Sequence, residues 1–161
     1  METVTSADGT TIAFDQLGSG PPLVLVSGAS CDRAVDAGIA AALADHFTVL
    51  NYDRRGRGDS GDTPPYAVAR EVEDLDALVD HTGGSASLHG FSSGALLALH
   101  AAAAGLPITR MTVLEPPFAT EDETASQAAF TDGLRGQLAS GGHDAALEFF
   151  LAAALREFLL G

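Results

Sequence analysis

The chain has 161 residues, with 8 Lys and Arg against 22 Asp and Glu and a formal charge of −14. That length suits one domain with a real core, and the dispersed acidity repels nucleic acid and anionic membrane surfaces, so neither is expected as a partner. A single cysteine, Cys31, excludes an internal disulfide and leaves no cysteine cluster for zinc; no metal site is expected. The opening Met1-Glu2-Thr3-Val4-Thr5 has no basic stretch followed by an apolar one, and the apolar runs elsewhere are alanine-rich and too interrupted to span a bilayer. A cytoplasmic location follows as the expectation.

In chain order, Glu2 to Thr5 and Thr11 to Leu17 flank the turn signal Asp8-Gly9 and predict a hairpin of two edge strands. Leu23-Val24-Leu25-Val26 is a continuous apolar run of the kind found in a parallel strand covered on both faces, ending at Ser27-Gly28-Ala29-Ser30. Asp32 to His46 reads as a helix and Phe47 to Tyr52 as a second buried strand, which together make a right-handed crossover. The loop from Asp53 to Pro65, rich in Arg, Gly, Asp and Pro, leads to a helix with Val68, Val72, Leu75, Leu78 and Val79 at helical spacing, stopped by Gly83-Gly84. A strand through Ser87-Leu88-His89-Gly90-Phe91, a helix to Ala104 and a strand from Ile108 to Leu114 form a third repeat, closed by Pro116-Pro117. From Glu121 onward only helices are expected, with Phe130, Leu134 and Leu138 on one face and a break at Gly141-Gly142. The fold class is α/β: a mostly parallel sheet of about six strands with helices on both faces, followed by a helical C-terminal segment.

Gly90-Phe91-Ser92-Ser93-Gly94 is a G-x-S-x-G stretch between strand and helix. A serine at the apex of so sharp a turn has a strained backbone and tolerates only small neighbours, here Gly90 and Gly94, and its hydroxyl projects clear of the sheet. The helix that begins there directs its free amides and positive dipole end at the same point, which suits a developing oxyanion.

With the hairpin start, the Ser27-Gly28-Ala29 turn, the Tyr52-Asp53-Arg54-Arg55-Gly56-Arg57-Gly58-Asp59-Ser60 loop and the Ser92 elbow in this order, the chain resembles the α/β-hydrolase fold superfamily, nearest its small esterases and cofactor-free haloperoxidase-like members, over Met1 to about Phe118. The resemblance implies Ser92 as nucleophile, backbone oxyanion donors at Ser93 and Ala29, no cofactor, and a small ester-like substrate. It also implies a hydrolase-like core over 1–118 and a helical lid-like or C-terminal segment over 119–161, packed on the core. Where family members often carry His-Gly, this chain has Ser27-Gly28, a departure that changes how the turn is braced.

The family's triad continues with an acid and then a histidine, usually after two further strands, and no buried strand is recognisable after Leu114. His143 is the only histidine downstream of the elbow helix and is the candidate base; Glu115, directly after the last strand, is the candidate acid. His46, His81 and His100 fall on helices or their ends, and His89 is expected to pack. Phe91 and Phe118 are candidate walls of an apolar acyl pocket.

The activity expected is serine-dependent hydrolysis of small carboxylic esters, thioesters or lactones. Two alternatives remain: a hydrolase-shaped binding module or remnant without catalysis, and, from Gly56-Arg57-Gly58-Asp59-Ser60-Gly61, a dinucleotide-binding oxidoreductase. The second conflicts with Asp62-Thr63-Pro64-Pro65, which interposes a turn where a helix should start. With no strand beyond it, Ile108 to Leu114 becomes a sheet edge, so a homodimer through that edge or through the tail residues Phe149, Phe150, Leu155, Phe158 and Leu159 is expected.

Overall fold

Every residue from Leu23 to Val26 is buried, because successive side chains of this strand point to opposite faces and both faces are covered. In the computed structural model, which describes residues 1–118 and 124–160, this strand is β3 (Pro22–Val26) and lies near the centre of a six-stranded sheet ordered β1-β2-β4-β3-β5-β6. The others are β1 (Glu2–Thr5), β2 (Thr11–Leu17), β4 (Thr48–Tyr52), β5 (Ala86–Phe91) and β6 (Ile108–Leu114). β1–β2 and β2–β4 pair antiparallel, and the remaining neighbours pair parallel. The mostly parallel α/β architecture read from the sequence is therefore the one observed. Of the two strands expected at an edge only β1 is one; β2 is internal, because its second side pairs with β4 from Phe14↔Tyr52 to Leu17↔Val49.

The two faces differ in depth. Val24, Val26, Leu50, Leu88, Ile12 and Phe14 pack with Leu75, Leu78 and Val79 of α2 (Val68–His81) and Leu97 of α3 (Ser93–Ala103). Leu23, Leu25 and Val49 meet only Ala40, with Leu17, Leu43 and Phe47 around them, under α1 (Ala37–Leu43). A hollow of about 480 Å³ opens on the α1 side between Ile39, Leu43, Phe47 and β6, with Met111 and Leu114 in its wall.

The helix expected from Asp32 begins only at Ala37. Its first five residues are diverted by side chains: the Arg33 amide donates to Asp53 Oδ1 at 2.7 Å, and Asn51 Nδ2 donates to the Arg33 carbonyl at 2.8 Å. The Arg33 guanidinium then binds Asp15, Asp53 and Asp59. A residue with both backbone groups committed in this way has none left for a helical ladder.

By contact density the chain divides into two compact units, Met1–Pro117 and Phe118–Gly161. The second consists of α4 (Thr124–Leu160), interrupted at Gly142 with φ 73° and ψ −162°, at the glycine pair where a break is expected. Across that kink Phe130 stacks on Phe149 with ring centroids 5.6 Å apart, and Gly133 leaves room for the Phe149 ring, since a Cβ there would lie 2.6 Å from its Cζ. Leu138, expected on one helix face with Phe130 and Leu134, is 45% exposed. The helix start expected at Glu121 and the tail side chains of Leu155, Phe158 and Leu159 lie outside the described residues. Among the described residues no helix is long and apolar enough to cross a membrane.

Candidate active site

Among the described residues, three that are not glycine have φ in the left-handed region: Ser30 at 57°, Ser92 at 52° and Glu115 at 49°. They follow the carboxyl ends of β3, β5 and β6, three adjacent parallel strands, which is the rim where open α/β sheets place their sites. Backbone conformations of this kind cost about 1–3 kcal/mol each and persist only where the surroundings enforce them.

Ser92 has φ 52° and ψ −122° and caps α3, whose first residue is Ser93. The turn is enforced from both sides. A Cβ on Gly90 would lie 2.6 Å from Ala95 Cα, and one on Gly94 would overlap the Val26 carbonyl and come within 2.6 Å of the Ser27 oxygen. The Ser92 amide donates to the Leu114 carbonyl at 2.9 Å, which ties the elbow to the end of β6. Glu115 is the next residue, exposed, with its backbone beside the elbow. Ser93, at the first position of α3, has an amide with no acceptor inside the helix.

The Ser27-Gly28-Ala29-Ser30 turn lies against the same spot. A Cβ on Gly28 would be 3.4 Å from Ser92 Cβ and 3.1 Å from Phe91 Cδ1, so only glycine allows this approach without displacing a neighbour. Two arginines from the loop after β4 hold the turn. Arg54 Nη1 donates to the Ser27 carbonyl at 3.2 Å and to Ser93 Oγ at 3.0 Å; Arg57 Nη1 donates to the Gly28 carbonyl at 2.6 Å and the Cys31 carbonyl at 3.2 Å.

Arg54 is itself clamped by a buried fork to Glu71 of α2, at 2.6 and 2.7 Å, and Tyr66 Oη donates to the same carboxylate at 2.9 Å. Burial alone would raise the Glu71 carboxyl, but the Arg54 fork outweighs it and holds the group below the ordinary glutamate value. Burial, with Arg54 close by, draws the Arg57 guanidinium below its usual value. A parallel pair, Arg55 with Asp74 at 2.7 Å and Asp8 at 2.9 Å, joins the same loop to α2 and to the β1–β2 turn.

One unit thus brings together Ser92, Ser93, Ala29, Gly90, Gly94 and the Glu115 backbone. His143 belongs to the other unit, exposed, one residue past the kink at Gly142. His89 is half-buried with Nδ1 2.7 Å from Thr112 Oγ1, and His81 packs edge-on to Phe14 at 5.0 Å. The glycines from Gly56 to Gly61 close on themselves through a Gly56 amide to Gly61 carbonyl bond of 2.9 Å, and α2 starts only at Val68. No helix opens within them to receive a pyrophosphate. Among the described residues no group of three or more His, Cys, Asp or Glu is placed to hold a metal ion.

Sequence reasoning missed the arginine braces. The available signal was on α2, where Glu71 and Asp74 share the face of Leu75 and Leu78 and are buried with them; acids on an apolar face require cationic partners.

The model of the alpha/beta hydrolase family matches residues 23–161. An alpha/beta hydrolase from Sphaerobacter thermophilus DSM 20745 superposes with a TM-score of 0.87 at 51% identity, covering 97% of this chain and 65% of that one. A thermophilic esterase from Thermogutta terrifontis gives a TM-score of 0.73 at 26% identity over 88% of this chain and 54% of that one. Among curated proteins, the probable oxidoreductase EphD of Mycobacterium bovis is 33% identical over 91 residues, 53% of this chain but only 15% of that protein. The chain therefore spans under two thirds of each of these relatives, and by the extent of the family match it belongs to the alpha/beta hydrolase family.

Proposed function

We propose that this chain carries the nucleophile and oxyanion hole of a serine hydrolase acting on small carboxylic esters, thioesters or lactones. The observation that carries the reading is Ser92, held in a strained turn between two glycine-walled approaches with the Gly28–Ala29 turn against it. The likeness to the Thermogutta esterase supports the ester class.

In this reading Ser92 Oγ attacks the substrate carbonyl carbon while its proton passes to a base. The carbonyl π pair moves to oxygen and meets the amides of Ser93 and Ala29. Collapse expels the alcohol, thiol or lactone oxygen, which takes the proton back, and leaves an acyl ester on Ser92; water then repeats the sequence and frees the acid. We assign the base to His143, on chain order alone, and the orienting acid to Glu115, supported by its place after the Leu114 carbonyl that receives the Ser92 amide.

The test is pre-steady-state turnover of p-nitrophenyl acetate and butyrate by the intact chain beside Ser92→Ala and His143→Ala. Both variants are expected to lose the burst. Loss in Ser92→Ala alone rejects His143 as base, and turnover unaffected by Ser92→Ala rejects the hydrolase reading in favour of a hydrolase-shaped binding module.

We also propose that two copies associate along β6, a strand at the sheet edge among the described residues, whose Val113 and Leu114 are 41% and 50% exposed. Sedimentation should show a concentration-dependent dimer that Val113→Lys disperses; a monomer at all concentrations rejects it.

A further inference from the structure

We propose that Arg57 is a positioning residue that sets the oxyanion hole by holding the Gly28–Ala29 peptide with its amide turned toward Ser92. The inference rests on the serine-hydrolase reading. A trans peptide is planar, so the Gly28 carbonyl and the Ala29 amide point in opposite directions. Whatever anchors the one aims the other. Arg57 Nη1 anchors the Gly28 carbonyl at 2.6 Å and, by also reaching the Cys31 carbonyl at 3.2 Å, grips the turn at both ends.

The need for an anchor comes from the close approach to Ser92. A Cβ at position 28 would press on the Phe91 ring at 3.1 Å and touch Ser92 Cβ at 3.4 Å, so glycine is what fits here without shifting the Phe91 ring. Glycine is also the residue whose backbone turns most freely, and a reversed peptide would present a carbonyl oxygen to the developing oxyanion. A charge-assisted bond from a guanidinium opposes that reversal better than a neutral donor. Arg54 completes the hold from the preceding residue, through the Ser27 carbonyl at 3.2 Å.

Arg57→Met and Arg57→Lys separate this role from a general structural one. For Arg57→Met with its circular dichroism intact, kcat for p-nitrophenyl butyrate is expected to fall about 10²-fold, the scale of one lost oxyanion donor, with KM within about twofold. The rate advantage of an ester over its thionoester, whose sulfur anion gains little from amide donors, should shrink in the variant. Equal losses on ester and thionoester overturn the inference. Arg57→Lys should recover part of both quantities and carries the comparison if Arg57→Met does not fold.

Crystal structures of the variants decide the peptide geometry without any turnover. A reversed or doubly oriented Gly28–Ala29 peptide is expected in Arg57→Met; the wild-type orientation at full occupancy overturns the inference. A wild type with no Ser92-dependent turnover defeats the hydrolase reading instead, and the crystallographic result still decides the role of Arg57.

Discussion

Ala29 and Ser93 follow neighbouring parallel strands, yet they are held in place by different means. The Ser93 side is shaped by backbone: β5 runs into α3 through a strained residue, with main chain pressed against Gly90 and Gly94. The Ala29 side is tethered by side chains, since Arg54 and Arg57 grip the carbonyls of Ser27, Gly28 and Cys31. A backbone-walled turn is written locally and tolerates almost no change. A tethered one depends on partners far away in sequence and can be loosened by degrees.

The hardest break falls on the walled side. Gly94→Ala places a Cβ onto the Val26 carbonyl, main chain that cannot swing aside, and should cost more than about 4 kcal/mol. Thermal melting should show no cooperative transition at the wild-type temperature; a melting point near wild type would show that the walls are softer than the geometry says.

On the tethered side, Arg54→Met leaves Glu71 buried without its cation. Breaking such a pair costs about 3–5 kcal/mol, read as a lower urea midpoint while the far-ultraviolet spectrum stays native. A loss below about 1 kcal/mol would mean that the Tyr66 hydroxyl alone satisfies the acid.

The mildest perturbation is acid. Glu71 is held below its ordinary value in the folded chain, so the stability it contributes is fully present above about pH 4.3. That contribution is lost as pH falls below this value, through the lowered one. Stability of the wild type should therefore fall with acidification, and Glu71→Gln should flatten part of the slope. The rest belongs to groups such as Asp8 and Asp15, which their arginines also hold low, Asp15 doing so against burial that would raise it. An unchanged slope in Glu71→Gln would remove the pair from the acid response.

The same contrast explains what could be read in advance. The hairpin, the buried strands, α2 and the glycine-framed Ser92 are carried by period-two alternation, helical spacing and glycines within a few residues of one another, and all are found where expected. α1 starts late because Asp53, twenty residues on, captures the Arg33 amide. β2 is internal because β4, more than thirty residues later, pairs with it. Arg54 and Arg57 sat in a loop that served as a landmark of the resemblance but gave no sign of what the two side chains hold. Their partners, Glu71 at 17 residues and Gly28 at 29, are set by topology rather than by neighbouring chain.

The position of β3 and β5 within the sheet has a consequence for motion. Each is bonded on both sides by other strands, whereas β1 and β6 have one partner apiece among the described residues. Local openings begin where contacts are fewest, and amides at sheet margins exchange with solvent through fluctuations that leave the interior shut. Val26 and Gly90, paired in register at the carboxyl ends of β3 and β5, are therefore expected to exchange more slowly than the amides of β1, which hydrogen-exchange mass spectrometry checks. The turn that carries Ser92 and the Gly28–Ala29 turn beside it are thus rooted in strands paired on both sides, away from the sheet positions where openings are expected to start.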